Sequence, residues 1–245
     1  MEEYYLVKHS TLANIANDIR ELRGIEESIK LNDIMHHIYD ILKHPRDLYI
    51  DNLKQSCTFV RDYNKTYVPR GMYQDFVNLS NVGYSKAVTI EAEAFSGCIS
   101  LRGFPAGSSV REIGYRAFYN CKELTEITIE SQNSLHISSE AFLNCSKLEK
   151  FEAYTCNFFE SNRAFSGTSM KAFIMRSDEF YAAAYVPSDV FENTPIANGQ
   201  GYIYVPRHRI SLYQEYWGDY INQFRALEDY TVDGTITGAL DPYKI

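Results

Sequence analysis

The residues best suited to chemistry in this 245-residue chain are its five cysteines and a small group of histidines. Thiolates act as nucleophiles, redox centres and zinc ligands, and each use demands partners at set spacings. No Cys-x-x-Cys pair and no zinc-like cysteine-histidine spacing is present. Cys98, Cys121 and Cys145 recur at offsets of 23 and 24 residues, and Thr168 and Thr194 take the same place later in the chain. Threonine is a poor substitute for a thiol, so the spacing predicts buried structural cysteines that pack as small apolar residues. Stacking brings their Cα atoms near disulfide range, but parallel side-chain directions are wrong for a bridge. His36 and His37 are adjacent and diverge by about 100° on a helix. Together with His44 they read as solvated or packed side chains. Gly-rich phosphate loops and a nucleophile elbow are both missing. The expectation is no enzyme, no catalytic residue, no metal site and no cofactor.

The elements that carry those cysteines repeat. Ala94-Phe95-Ser96-Gly97-Cys98-Ile99-Ser100-Leu101 aligns with Ala117-Phe118-Tyr119-Asn120-Cys121-Lys122-Glu123-Leu124 and with Ala141-Phe142-Leu143-Asn144-Cys145-Ser146-Lys147-Leu148. Looser copies follow at Ala164-Phe165 and Val190-Phe191, each one residue shorter before its apolar position. After the turn, Ile127 and Ile129, or Phe151 and Ala153, alternate as in a half-buried strand. A unit this short cannot bury its own apolar face, so units must stack. Five strands spaced about 4.8 Å apart make a rod or shallow arc of about 20 Å. Phe95, Phe118, Phe142, Phe165 and Phe191 then form an internal ladder. Burying about 150–250 Å² per ring contributes roughly 4–6 kcal/mol before entropy is subtracted.

The pattern Val-x-x-Ile-x-x-x-Ala-Phe-x-x-Cys-x-x-Leu-x-x-Ile-x-Ile at residues 110 to 129 resembles the BspA-like, Treponema-type bacterial leucine-rich repeats. The resemblance implies an α+β repeat solenoid with a strand on one face of every unit, and a role in adhesion or protein recognition without catalysis. It covers roughly residues 85 to 205. The expected architecture is a leucine-rich-repeat array of about five 23–26-residue units over residues 85–206. A helical module (1–44) and a connecting or N-terminal cap region (45–84) precede it. A C-terminal cap helix and tail (207–245) close it. Ile210, Tyr213, Trp217, Tyr220, Ile221 and Phe224 recur at helical spacing, as an amphipathic cap would. Tyr49, Ile50, Phe59, Val60, Tyr67, Val68, Phe76 and Val77 suggest short strands.

At the other end, Leu12, Ile15, Ala16, Ile19 and Leu22 follow helical spacing and Gly24 suits the stop. Ile34, Met35, Ile38, Ile41 and Leu42 make a second helix that ends before Pro45. The wording of this hairpin resembles a short N-terminal module of structural proteins in tailed phages. Leu12, Ile15, Ile19, Ile34, Met35 and Ile38 are then the candidate attachment residues. The resemblance implies a virion protein held in the particle, with other virion proteins or further copies of itself as partners and a host cell-surface ligand at the repeats. The alternative is a bacterial leucine-rich-repeat adhesin or interaction protein, on the cell surface or in the cytoplasm. The acidic start Met1-Glu2-Glu3 lacks the basic stretch and apolar run of a secretory signal, which is expected of the virion route.

The formal charge of −8 argues against phosphate-neutralising nucleic-acid binding. No run approaches 18 consecutive apolar residues, so no membrane insertion is expected. Twenty Tyr and 14 Phe against one Trp are read mainly as architecture: repeated core rings plus an aromatic cap. The natural ligand platform is the outward side of the strands. By alternation it carries Glu126, Thr128 and Glu130, then Lys150, Glu152 and Tyr154, then Ala172, Ile174 and Arg176.

Overall fold

Five of the six described turns call for left-handed backbone twice and the last, at Asn193, once. In the computed structural model, which describes residues 54–55, 57–61, 65–84, 86–104, 109–158, 161–177 and 186–230, six turns carry positive φ at equivalent places. The first column is Gly71, Glu93, Arg116, Glu140 and Arg163; the second is Asp75, Gly97, Asn120, Asn144, Gly167 and Asn193. Asn, Asp and Gly tolerate this region best. A Cβ at Gly97 would lie 2.2 Å from the Asp75 carboxylate oxygen, so any other residue there would displace that side chain. Each turn donates N–H groups to the next: Phe95 to the Ala117 carbonyl, Phe118 to Ala141, Phe142 to Ala164, and Phe165 to Val190.

Between turns the described residues make two five-stranded parallel sheets and one two-stranded parallel sheet. One stacks β6 (Glu126–Thr128), β8 (Lys150–Ala153), β10 (Ala172–Met175), β11 (Tyr202–Val205) and β12 (Phe224–Ala226). Single backbone bonds extend it towards the N-terminus, where Arg102 N–H donates to Ser80 and Thr125 N–H to Arg102. There β1 (Phe59–Arg61) pairs with β3 (Asn81–Gly83). The second sheet stacks β2 (Tyr67–Val68), β4 (Thr89–Ile90), β5 (Glu112–Ile113), β7 (Ser134–Ile137) and β9 (Thr155–Asn157). Sequence reading recognised Val110 and Ile113 as an apolar pair upstream of Ala-Phe but not as the seam of a second sheet. All five of its strands are two to four residues long, too short for alternation to register. Phe76 and Val77 lie in the first turn rather than in a strand.

The core runs between the sheets as ladders. Tyr73, Phe95, Phe118, Phe142, Phe165 and Phe191 stack with successive centroid distances of 5.3, 5.3, 5.1, 5.0 and 5.7 Å. Phe151 and Phe173 meet this column edge-on from the first sheet, the tilted arrangement that aromatic quadrupoles favour. Leu79, Leu101, Leu124, Leu148, Met170 and Ile196 form a parallel buried column. The first unit, with Met72 and Tyr73 for Ala-Phe and Phe76 for Cys, lies inside the segment 45–84 expected as a connecting or N-terminal cap region.

The C-terminal end differs from the expected single cap helix. The helix α1 covers Ile210–Tyr216, a tight turn takes Gly218–Tyr220, and Phe224 falls in strand β12. Helical spacing persisted because Tyr213, Trp217, Tyr220 and Phe224 all point into the open end of the stack and are buried. Ile221, by contrast, is exposed. Trp217 packs edge-on to Phe158 at 5.5 Å and to Tyr213 at 5.7 Å. Tyr220 ends the turn ladder, since its hydroxyl accepts the Phe191 N–H at 3.4 Å and donates to the Ser188 carbonyl at 2.7 Å. The proposed attachment residues Leu12, Ile15, Ile19, Ile34, Met35 and Ile38, the three histidines discussed above, and the tail from 231 onward lie outside the described residues.

Candidate functional site: the outward sheet face

In-register pairing arranges the outward side chains of the first sheet in rows. Glu126, Lys150, Ala172 and Tyr202 form one row; Thr128, Glu152, Ile174, Tyr204 and Arg225 form the next. Glu130, Tyr154 and Arg176 follow two residues further along their chains. The expected face is thus assembled, but its two halves differ. Over β6 and β8, Glu126 and Glu130 are exposed while Thr128, Lys150 and Tyr154 are half-buried. Over β10 and β11, Ile174 is fully buried and Ala172 is 9% exposed, packed with Tyr204, Tyr202, Leu227 and Tyr230. Ala172 and Ile174 therefore do not belong to an open platform. Period-two alternation identifies a side of a strand; it does not show what a later segment lays over that side.

Glu152 also departs from expectation. It is 7% exposed, bridged by Lys150 Nζ at 2.8 Å and by the Arg176 guanidinium. A carboxylate this buried persists only when paired, so Glu152 organises its two cations instead of presenting itself. The groups left to meet a partner are Glu126, Thr128, Glu130 and Tyr154, with the outer edges of Lys150 and Arg176. Towards the C-terminal end the face turns aromatic. The Arg225 guanidinium lies 4.2 Å from the Tyr202 ring centroid, and Tyr204 meets Tyr230 edge-on at 4.7 Å. Burial, with Tyr230 and Tyr202 beside it, raises the Tyr204 phenol above its ordinary pKa. Sequence reading missed this half. Its signal was Tyr202-Ile203-Tyr204-Val205, whose alternation puts both tyrosines on one side.

The cysteines, the other candidate chemistry, are all free and buried. Cys98, Cys121 and Cys145 donate their thiols to the carbonyls of Tyr73, Phe95 and Phe118, one unit back, at 3.0, 3.2 and 2.9 Å. Burial pushes the Cys57 thiol up to about 11 and raises Cys98, Cys121 and Cys156 as well. Protonated, enclosed thiols are poor nucleophiles. Thr168, at the same place in the next unit, has a buried hydroxyl with no hydrogen-bond partner. Among the described residues no cluster of three or more His, Cys, Asp or Glu could hold a metal, and no helix is long and apolar enough to cross a membrane.

Short parallel strands joined by turns of constant shape, with one apolar ladder per consensus position, define a repeat solenoid of the leucine-rich class. The chain belongs to the BspA type leucine rich repeat family, whose model matches six copies over residues 66–197. Six copies against about five expected reflects the unit around Tyr73. A solved structure of a leucine rich cell surface protein from Faecalibacterium prausnitzii A2-165 is similar, with a TM-score of 0.36 and 16% identity over 76% of this chain. This chain spans 64% of that protein's length. No match was found among curated proteins. The family match covers the repeats and gives no support to the virion reading of residues 10–42. It agrees with the interaction-protein alternative.

Proposed function

We propose that this protein is a non-catalytic recognition protein, exposed at a bacterial surface, that engages a protein partner through the outward face over β6 and β8. The observation that carries the reading is the continuous in-register sheet. It holds Glu126, Thr128, Glu130 and Tyr154 outward on a rigid floor, with Lys150 and Arg176 oriented by Glu152. Rigid presentation lowers the ordering cost of binding, and tyrosine and arginine are the residues that dominate interface energetics. Family membership supports a scaffold that binds; the enclosed thiols argue against covalent chemistry.

The test replaces Glu126 and Glu130 with Arg and Tyr154 with Ala in one variant. Glu152 is left intact, because its loss would strand two cations. A second variant carries Lys122→Ala on the turn side as a control. Both are immobilised and probed with surface-protein extracts and intact cells. Partners retained by the parent and the control but lost by the face variant support the reading. Equal retention by the face variant rejects this surface.

A further inference from the structure

Four residues of the first left-handed column, Glu93, Arg116, Glu140 and Arg163, alternate in sign, and Arg70 and Glu192 beside the column pair with its two ends. Arg70 pairs with Glu93 at 3.2 Å. Arg116 pairs with Glu140 at 2.5 Å, Glu140 with Arg163 at 3.9 Å, and Arg163 with Glu192 at 3.4 Å. Glu93, Arg116, Glu140 and Arg163 hold equivalent backbone positions at φ of 61°, 53°, 56° and 53°. Charged residues are not what left-handed backbone favours; Gly or Asn fits with less strain. Gly, Asp and Asn fill the second column four residues on, so the turn itself does not demand charge at the first.

The core has a weakness that this column answers. Its units are nearly interchangeable: Phe118 stacks on Phe142, and Phe142 on Phe165, with rings within 2° and 4° of parallel. A turn that docks on the next turn but one would meet the same Ala, Phe and Cys or Thr. Leaving one unit looped out roughly doubles the closed loop, which lowers closure probability only about threefold. Neither packing nor chain entropy thus rejects a skipped unit early in folding.

Charge does. If the Ala94 turn is skipped, Arg70 meets Arg116. If the Ala117 turn is skipped, Glu93 meets Glu140. Skipping the Ala141 turn sets Arg116 against Arg163, and skipping the Ala164 turn sets Glu140 against Glu192. Every single skip converts attraction into repulsion. We propose that the alternating column is a register key that rejects skipped-unit pairings while the solenoid folds. One exposed pair shifts an equilibrium by no more than about fivefold. Replacing a favourable contact by a like-charge contact compounds two such factors, to about tenfold or more per skip.

The experiment follows refolding from urea by the emission of Trp217, the one tryptophan. Short unfolding pulses keep proline isomerisation out of the traces. A neutral variant combines Glu93→Gln, Arg116→Gln, Glu140→Gln and Arg163→Gln. It removes the key without adding repulsion. An inverted variant exchanges Arg for Glu, and Glu for Arg, at residues 70, 93, 116, 140, 163 and 192, so alternation is kept with opposite sign. The neutral variant is expected to divert at least several-fold more molecules into a slow, misregistered phase. The inverted variant is expected to return to the parent's single fast phase. The parent in 1 M salt, where charges beyond about 3 Å are screened, is expected to resemble the neutral variant. Equal slow-phase amplitudes in the parent, neutral and inverted proteins would overturn the proposal. A slow phase in the inverted variant as large as in the neutral one would overturn it too, since that marks the pairs as local contacts with no role in register.

Discussion

Replacing Tyr220 with Phe isolates a single oxygen at the end of the stack. In each earlier unit the N–H of the ladder aromatic reaches the next turn's carbonyl; Phe165 N–H, for example, donates to Val190. Phe191 has no next turn, and the Tyr220 hydroxyl stands in for it. The substitution keeps the ring, which meets Phe191 edge-on at 5.3 Å. What it removes is the acceptor for the buried Phe191 N–H and the donor to Ser188. A buried group left unpaired costs about 1–3 kcal/mol. The 3.4 Å bond is at the weak end of that range, and Ser188 is exposed enough for water to replace its donor. The sum is about 1 kcal/mol, which lowers the melting temperature by about 2–4 °C in a chain of this size. Urea unfolding monitored by Trp217 measures it, and amide exchange at Phe191 localises it. Tyr115→Phe, which loses only an exposed 3.4 Å bond to Glu140, serves as the comparison and should change stability by less than about 0.5 kcal/mol. If Tyr220→Phe is as silent as Tyr115→Phe, the hydroxyl does not substitute for a missing unit.

Phe142→Ala, in the middle of the ladder and fully buried, should cost about 3–5 kcal/mol through transfer and cavity terms; urea titration measures it. Thr168→Cys should stabilise the chain by about 1 kcal/mol, because it replaces a buried unpaired hydroxyl with the thiol that elsewhere donates one unit back; a lower melting temperature would refute this. Burial holds the Cys57 thiol to about 11 against an ordinary 9.0, and the Tyr220 phenol to about 12 against an ordinary 10.0. The unfolded chain releases both protons first, so stability is full below about pH 9 and falls as pH rises to 12. Denaturation curves across that range check it. In the same native protein all five thiols should resist iodoacetamide at pH 8 and react after denaturation.

The repeats were legible because one side chain recurs in phase: Phe at a fixed distance from Cys and Leu marks a unit even where the strand between is three residues long. Periodicity failed where units diverge. Tyr73 with Phe76 fills the same space as Phe118 with Cys121, but spelling hides that equivalence. At the cap, a 3.6-residue period across Tyr213, Trp217, Tyr220 and Phe224 came from four rings converging on one opening, through helix, turn and strand in succession. On the candidate face, alternation named the correct side for all nine residues. It had no access to the aromatic segment that returns over Ala172 and Ile174, nor to the two cations that enclose Glu152. Lys150 lies two residues from Glu152, but Leu227, Tyr230 and Arg176 act from far along the chain, and no local window contains them.

The sign alternation at residues 93, 116, 140 and 163 has a consequence for how such a protein can change length. Loss or duplication of one unit would bring like charges together at the junction, whereas a gain or loss of two units preserves every attraction. The sheet would then lengthen in steps of two strands, about 10 Å at a time. Copy number in descendants of this chain should therefore keep its parity wherever the charged column is kept, and odd counts should coincide with a neutral or re-signed turn.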